Sequence, residues 1–360
     1  MKLLNPVAYY HVNTSNKGDW AIKKSITEAI LRHIEVPFSY FSVKNDELTE
    51  ERIINQINTD CSALIIAGSG LYTNYPKSSG WYFPCKTELF KKIKVPIILI
   101  GLGCNQNLKG NILTKGLNKN TEKSIKLIND LAAVSTVRDA RTYELLKNLN
   151  ITKHELQLDP GNFLKVKEKQ TKRKRVAIQL AQHAPILGRY DGGKEGQLNR
   201  EKNINNFSNI SNYLIGNGYS IVFIAHDALE QSIAMDIKKS SPKIEVLNTD
   251  NLDEMLSEYS SCRFSIGMKM HSNIMSFASG TPFLSLYYDV KTTEYLKMIN
   301  YKSFGESVFI NYYTPIFDKV KYMMKHWKLH TNNFRMIKKE KSNSFNNTIK
   351  KVCKIIKDNS

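Results

Sequence analysis

Long apolar stretches and a secretory signal are both missing from this sequence. A helix needs about 20 consecutive, mostly apolar residues to span a bilayer, and no run of that length occurs. Near the start, Asn5 and Pro6 stand where a signal peptide would be continuously apolar. These two absences predict a cytoplasmic protein without a membrane-spanning helix.

Cysteine is scarce, and cofactor signatures are incomplete. The five cysteines form no CxxC pair and no Cys/His cluster at the spacing of metal ligands, so buried free thiols are expected. There is no P-loop and no HExxH motif. The segments Gly68-Ser69-Gly70 and Gly101-Leu102-Gly103 lack the third glycine of a dinucleotide-binding fingerprint. We therefore expect no metal, no NAD and no other cofactor.

Acidic residues are too few to balance the basic ones. The chain has 52 Lys and Arg against 33 Asp and Glu, a formal charge of +19. A positive field attracts phosphorylated metabolites, nucleic acid and acidic lipids alike. The abundance of Lys, Asn and Ile is also what an AT-rich genome produces without selection for binding. Charge alone therefore leaves open a non-catalytic binder of acidic polymers, although we expect no nucleic-acid partner.

Length and composition predict two globular α/β domains. The 360 residues, with 41% hydrophobic and 24% charged side chains, suit two domains of about 150 residues each. Short apolar segments alternate with helical patterns, which is typical of parallel sheets with crossover helices. We predict an N-terminal Rossmann-like domain over 1–164, a basic linker over 165–175, a C-terminal Rossmann-like domain over 176–330 and a basic C-terminal segment over 331–360.

Strands are predicted at eight apolar segments, and the three in the first domain are expected to be buried and followed by turn-forming residues. In the first domain, three of these strands lead into loops at Gly68–Gly70, Gly101–Gly103 and Arg138–Asp139. The carboxyl ends of parallel strands share one edge of a sheet, so these loops should converge. The predicted strands are 64–67, 96–100, 132–137, 176–180, 220–225, 243–247, 263–266 and 282–287.

Two further segments have unusual compositions. Residues 182–202 carry four glycines among polar residues, which predicts a mobile loop over a site rather than a helix or strand. Residues 321–354 contain ten Lys or Arg and one Glu, mixed with large apolar residues. That composition fits either a helix packed on the domain or an amphipathic element at the inner face of an anionic membrane.

The densest chemical signal lies between Phe264 and Pro282. A predicted strand ends at Gly267, Lys269 and His271 follow, and a small-residue helix is expected from near Ser272 to Gly280. Unpaired N–H groups and the helix dipole make such a junction suitable for an anion. The alternative is a solvated lysine and a histidine that only caps the helix.

Two weaker signals repeat this arrangement. Tyr287 to Lys291 again reads as a strand, polar residues and a helix start, which would place Lys291 on the same rim as His271. In the first domain, Gly18 would allow close approach to the backbone, and Asp19 is the predicted N-cap of a helix. Each of these signals is common in proteins and is weak evidence for a functional site by itself.

Together these motifs resemble the polysaccharide pyruvyl transferases. The resemblance covers about residues 13–297, and its most specific part is Gly267-Met-Lys-Met-His271 through Gly280-Thr-Pro282 to Lys291. It implies a fold similar to the GT-B glycosyltransferases, with two Rossmann-like domains around a cleft. It also implies transfer of pyruvate from phosphoenolpyruvate to hydroxyls of a surface polysaccharide or its precursor, forming a ketal.

The resemblance also implies roles for individual residues. His271 would protonate the methylene carbon of the donor, and Asp19 would orient or deprotonate a saccharide acceptor, either free or lipid-linked. The family usually has Arg where this chain has Lys269, and arginine grips a carboxylate or phosphate bidentately whereas lysine is a point charge. A GT-B-like glycosyltransferase that uses a nucleotide sugar is the main alternative. The implied donor-binding residues are Arg138, Lys269, Lys291, Gly267 and Ser272, and the implied cleft loops contain Gly18, Gly68, Ser69, Gly70, Gly101 and Gly103.

Overall fold

The first half of the chain forms a six-stranded parallel sheet. The computed structural model describes residues 4–11, 16–42, 50–73, 87–104, 108–109, 112–113, 117–167, 172–181 and 194–360. The strand order of the first sheet is β2-β1-β3-β4-β7-β8, and every pair is parallel. Its strands are β1 (Val7–His11), β2 (Phe38–Ser42), β3 (Ala63–Ala67), β4 (Ile97–Leu102), β7 (Ala132–Val137) and β8 (Glu155–Leu156), with a separate antiparallel hairpin of β5 (Leu108–Lys109) and β6 (Ile112–Leu113).

The second half forms another six-stranded parallel sheet, in the order β11-β10-β9-β12-β13-β14. Its strands are β9 (Arg175–Gln179), β10 (Ser220–Ala225), β11 (Glu245–Asn248), β12 (Phe264–Gly267), β13 (Phe283–Tyr287) and β14 (Gly305–Ser307). The central strands of both sheets are buried along their whole length because helices cover both faces. This explains why apolar residues are frequent in these strands and continuous in β3, which made them predictable.

Helices connect the strands in both halves. Within the described ranges these are α1 (Lys17–Leu31), α2 (Glu51–Asp60), α3 (Thr87–Phe90), α4 (Lys119–Leu131), α5 (Ala140–Asn148), α6 (Lys194–Gly216), α7 (Ala228–Ser240), α8 (Leu252–Ser261), α9 (Met270–Ala278), α10 (Val290–Met298) and α11 (Tyr313–Asp358). None of the helices in this part of the chain is apolar over sufficient length to cross a membrane.

The strand order reverses once in each sheet, and these two points face the same region. In the first sheet the reversal lies between β1 and β3, and in the second it lies between β9 and β12. Ligands of open α/β sheets bind at such switch points, beyond the carboxyl ends of the strands. Helices α1 and α9, which follow β1 and β12, contact each other and the 3-10 helix Pro160–Phe163. The space beside these contacts is called the cleft below.

The eight predicted strands are all present, with ends that shift by no more than a few residues. The prediction for 182–202 is partly wrong, because residues 194–202 form the start of the long helix α6. Residues 182–193 lie outside the described part of the chain. Glycine content misled the prediction there, since Gly196 is accommodated within the helix at a modest cost in stability.

Helix α11 joins the two halves of the molecule. Its early residues Ile316 and Val320 pack in the apolar cluster of the second sheet, whereas Ile349 and Val352 pack with helix α1 and the first sheet. Lys338 fixes the middle of the helix by donating to the carbonyl of Ala278 at 2.7 Å. The alternative of a packed C-terminal helix is therefore confirmed, and one unbroken helix spans both sides of residue 330. The domain limits proposed from the sequence stay predictions.

Candidate active site

The predicted acid His271 lies against the backbone of the first half. It occupies the first turn of α9 and is 8% exposed. A Cβ atom on Gly18 would lie 2.1 Å from its Nδ1 and 2.2 Å from its Cγ, which is far inside van der Waals contact. Only glycine leaves room for the ring at this place. The N-terminal ends of α1 and α9 therefore meet at the imidazole of His271.

The start of helix α1 differs from the prediction. Its N-cap is Asn16, whose side-chain oxygen accepts a hydrogen bond from the Gly18 N–H at 3.0 Å, and the prediction of Asp19 as the cap is wrong. Asp19 instead lies in the first helical turn, where a negative charge is favourable, and it is buried. The cap could not be chosen from sequence because both residue types are good N-caps.

The buried carboxylate of Asp159 lies close to the imidazole of His271. Its Oδ2 is 3.1 Å from Nη1 of Arg138 and 3.8 Å from Nε2 of His271, and its Oδ1 accepts the Gly161 N–H at 2.9 Å. Burial would raise the pKa of this carboxyl group, but His271, Arg138 and the Gly161 N–H together lower it below its usual value. Asp159 is therefore ionised at neutral pH.

The three loops predicted to converge do adjoin one another. The Gly103 N–H donates to the carbonyl of Ser69 at 3.0 Å, and the Arg138 N–H donates to the carbonyl of Leu102 at 3.1 Å. A Cβ on Gly103 would lie 2.6 Å from Nε of Arg138, so glycine is needed for the guanidinium to pass. Ser69 has a left-handed backbone (φ 63°) between Gly68 and Gly70. The buried side chain of Arg138 therefore lies next to Gly103 and reaches Asp159.

Lys269 is near His271, but its charge is already paired. Its ammonium contacts Glu230 and lies 3.2 Å from Oδ2 of Asp227, and its side chain is 19% exposed. Its backbone N–H donates to Oε1 of Gln179 at 2.9 Å, at the end of β9. The Gln179 amide in turn donates to Oε2 of Glu230 at 3.0 Å. This network holds the β12–α9 turn to the ends of the neighbouring strands.

The remaining predicted donor residues lie along the same edge of the second sheet. Lys291 is in the first turn of α10, one third exposed, with its ammonium 3.4 Å from Oδ2 of Asp289. The hydroxyl of Ser272 donates to the Lys269 carbonyl at 2.7 Å. A Cβ on Gly267 would lie 2.4 Å from Oγ of Ser272. Gly267 and Ser272 therefore shape the turn, while Lys291 is the more accessible cation.

Sequence reasoning missed several residues of the cleft. Asp159 and Lys17 were not among the residues to which the sequence assigned a role. Lys17 is 2% exposed, pairs with Asp250 from the other half, and lies 3.9 Å from the ring centre of Trp20. Two charged residues that are far apart in the sequence but paired in the fold leave no local pattern from which the pair could be predicted. Within the described ranges, no three His, Cys, Asp or Glu residues are arranged to hold a metal ion.

The contact between Gly18 and His271 gives a direct prediction. Gly18→Ala should displace the imidazole by about 1 Å and lower turnover by about 10- to 100-fold, the scale on which catalytic geometry is sensitive. Gly216→Ala is the matched control, because a Cβ there meets nothing within 4 Å. Parallel thermal unfolding would separate a local displacement from loss of the fold. Full activity in Gly18→Ala would contradict the closeness of these two residues.

Comparison with known proteins identifies the sequence family. A family profile described as polysaccharide pyruvyl transferase matches residues 2–290. A search among curated proteins gave no significant match. The matched range includes both halves of the cleft and every predicted site residue up to the start of α10.

Solved structures share the fold at low sequence identity. A putative UDP-N-acetylglucosamine 2-epimerase from Listeria monocytogenes has a TM-score of 0.58 and 9% identity, over 92% of this chain and 91% of that one. The UDP-GlcNAc 2-epimerase from Methanocaldococcus jannaschii has a TM-score of 0.56 and 9% identity, over 89% and 93% of the two chains. A UDP complex of MnaA from S. aureus has a TM-score of 0.55 and 9% identity, over 91% and 90%. These likenesses confirm the predicted GT-B-like arrangement of two Rossmann-like domains.

Proposed function

The chain belongs to the polysaccharide pyruvyl transferase family, and from this premise we propose that it transfers pyruvate from phosphoenolpyruvate to sugar hydroxyls, forming a ketal. The acceptor is a surface polysaccharide or its precursor. The observation that carries the proposal is His271, held between Gly18 and Asp159 beside Arg138. This set offers one acid and a neighbouring cation where two helix N-termini meet.

The chemistry requires those groups. Protonation of the donor's methylene carbon consumes the carbon–carbon double bond and leaves C2 as an oxocarbenium-like centre. One sugar hydroxyl then bonds to C2 and loses its proton, the C2–O bond to phosphate breaks, and a second hydroxyl closes the ketal with loss of another proton. His271 is the proposed acid, since an imidazole exchanges protons near neutral pH.

Cations at the edge of the second sheet would bind the donor's carboxylate and phosphate. Arg138 and Lys291 are proposed for this role, assisted by the N-terminal end of α9. The role of Lys269 in donor binding stays a prediction, because Glu230 and Asp227 compete for its charge. The acceptor is proposed to approach from the first half, where Asp19 would orient or deprotonate a hydroxyl.

Donor identity separates this proposal from a nucleotide-sugar transferase. Phosphoenolpyruvate should raise the melting temperature of the protein, since a ligand at 100 times its Kd adds about 2.7 kcal/mol to the free energy of unfolding. UDP-N-acetylglucosamine at the same concentration should leave it unchanged. Thermal unfolding with each ligand is the measurement, and the reverse pattern would replace the proposal by the glycosyltransferase alternative.

Helix α11 is the proposed surface for contact with the inner face of a membrane, where lipid-linked acceptors reside. Tyr322, Leu329 and Met336 are 42%, 61% and 65% exposed, and their spacing of seven residues places them on one face of the helix. Exposed Lys325 and Lys328 lie along one side of this apolar stripe. Each basic residue near an anionic surface contributes about 1 kcal/mol to binding.

Removal of the segment after residue 328 would not test membrane contact. Phe345, Ile349 and Val352 are buried against the first half, so the truncated protein would lose part of its core. The double variant Leu329→Glu, Met336→Glu changes the exposed stripe alone and should reduce co-sedimentation with phosphatidylglycerol vesicles several-fold. Leu229→Glu, at a 44% exposed site on α7, is the control. Unchanged sedimentation of the double variant would exclude this surface.

A further inference from the structure

A second buried imidazole lies at the carboxyl end of β10. His226 is 1% exposed, and neither Nδ1 nor Nε2 has a hydrogen-bond partner among the described residues. Its backbone N–H donates to Oε2 of Glu230 at 2.8 Å, which fixes the residue beside the Lys269 network. Strand β10 pairs with β9, whose other neighbour is β12, so His226 follows a strand next to the switch point.

The charges around His226 come from both halves of the molecule. Burial first, and then the positive charges of Lys269, His271 and Lys17, lower its pKa well below the usual value. The ring is therefore neutral at physiological pH, with one N–H donor and one acceptor nitrogen. Lys17 belongs to α1, whereas Lys269 and His271 belong to the β12–α9 turn, so charged groups of both halves act on this imidazole.

An unpartnered buried imidazole is costly, because its two polar nitrogens lose their hydrogen bonds to water. None of the described residues forms a hydrogen bond with either ring nitrogen that would offset this cost. Lys269, the nearby cation that was predicted to bind the donor, is already paired with Glu230 and Asp227. The ring N–H of His226 has no partner among the described residues, so it remains able to donate a hydrogen bond to an anion.

We propose that His226 is a donor-binding residue, whose ring N–H donates a hydrogen bond to a phosphate oxygen of the donor. The inference rests on the proposed function for the donor's identity, but its chemistry applies to any phosphate-bearing donor in the cleft. The positive charges of Lys17 and His271 also act on this ring. His226 thereby helps to select a phosphate ester over an uncharged ligand.

The variant His226→Leu separates binding from structure. Leucine fills the volume of the ring without burying unpartnered nitrogens, so the ligand-free protein should melt at the same or a higher temperature. The Kd for phosphoenolpyruvate should rise by about 10- to 100-fold, the effect expected for one lost hydrogen bond to a charged group. His226→Gln, which keeps an N–H, should recover part of this loss, and KM should change more than kcat.

His330→Leu is the matched control. His330 is also buried, with Nε2 unpartnered among the described residues, but it lies in α11 among aromatic rings outside the cleft. Its replacement should leave the Kd for phosphoenolpyruvate unchanged. The same titrations are made with UDP and inorganic phosphate by calorimetry.

The outcomes distinguish this inference from the proposed function. If the wild type binds UDP but not phosphoenolpyruvate, and His226→Leu weakens UDP, the donor proposal fails while the role of His226 stands. If His226→Leu binds phosphoenolpyruvate as tightly as the wild type does, the inference is overturned and the proposed function survives. A large fall in melting temperature with unchanged Kd would assign the imidazole a structural role instead. Failure of the wild type to bind any of the three probes would overturn both.

Discussion

Replacing His271 with alanine is expected to lower turnover by about 10²- to 10⁴-fold, the range for loss of a general acid. The imidazole is the group with an exchangeable proton that the structure holds between Gly18 and the carboxylate of Asp159. In the proposed reaction, the methylene carbon of the donor then has no positioned acid. Turnover is measured as phosphate release from phosphoenolpyruvate, with glycan precursors extracted from the source cells as acceptor.

Binding measurements complete this test. Because Arg138 and Lys291 remain, the Kd for phosphoenolpyruvate should change much less than turnover does. His330→Ala removes a buried imidazole outside the cleft and should leave turnover within about twofold of the wild type. Near-normal turnover in His271→Ala would remove it from the mechanism, and a parallel loss in His330→Ala would indicate a general effect of packing.

Replacing Asp159 with alanine should destabilise the fold as well as the site. The change leaves the guanidinium of Arg138 buried without its carboxylate, and breaking a buried ion pair on one side costs about 3–5 kcal/mol. The loss of the Gly161 contact adds to this cost. Urea unfolding at neutral pH is the measurement. Adding Arg138→Leu to Asp159→Ala should restore part of the stability, because the unpaired charge is then removed.

The pH dependence of stability provides an independent check. The folded-state pKa of Asp159 is lowered, so its contribution is complete above the unfolded-state pKa and is lost as pH falls through the lower, folded-state value. The difference in stability between the wild type and Asp159→Asn should therefore be constant near neutral pH and shrink only under acid conditions. A difference that grows as pH falls would contradict an ionised Asp159.

Local sequence determined the framework of this protein. Strands such as Leu64–Ala67 and Ser220–Ala225 are continuous apolar segments bounded by turn residues, and burial on both faces of a parallel sheet imposes that pattern. The loops with Gly68 and Gly101 were predictable for the same reason, since they follow directly from strand ends. His271 was found because strand, turn and helix start are adjacent in the chain.

Tertiary structure alone decided which charges pair and which groups meet. Lys269 and Glu230 are 39 positions apart, and Lys17 and Asp250 are 233 apart, so neither pair has a periodicity or spacing that sequence could show. Asp159 acquires its role only when the 3-10 helix after it packs against α1 and α9. A charge interacts through space and not along the chain, whereas the alternation of strands and helices is a local property. The sequence by itself therefore determined the two sheets and the position of the cleft, and the packing of α1 against α9 determined the chemistry within it.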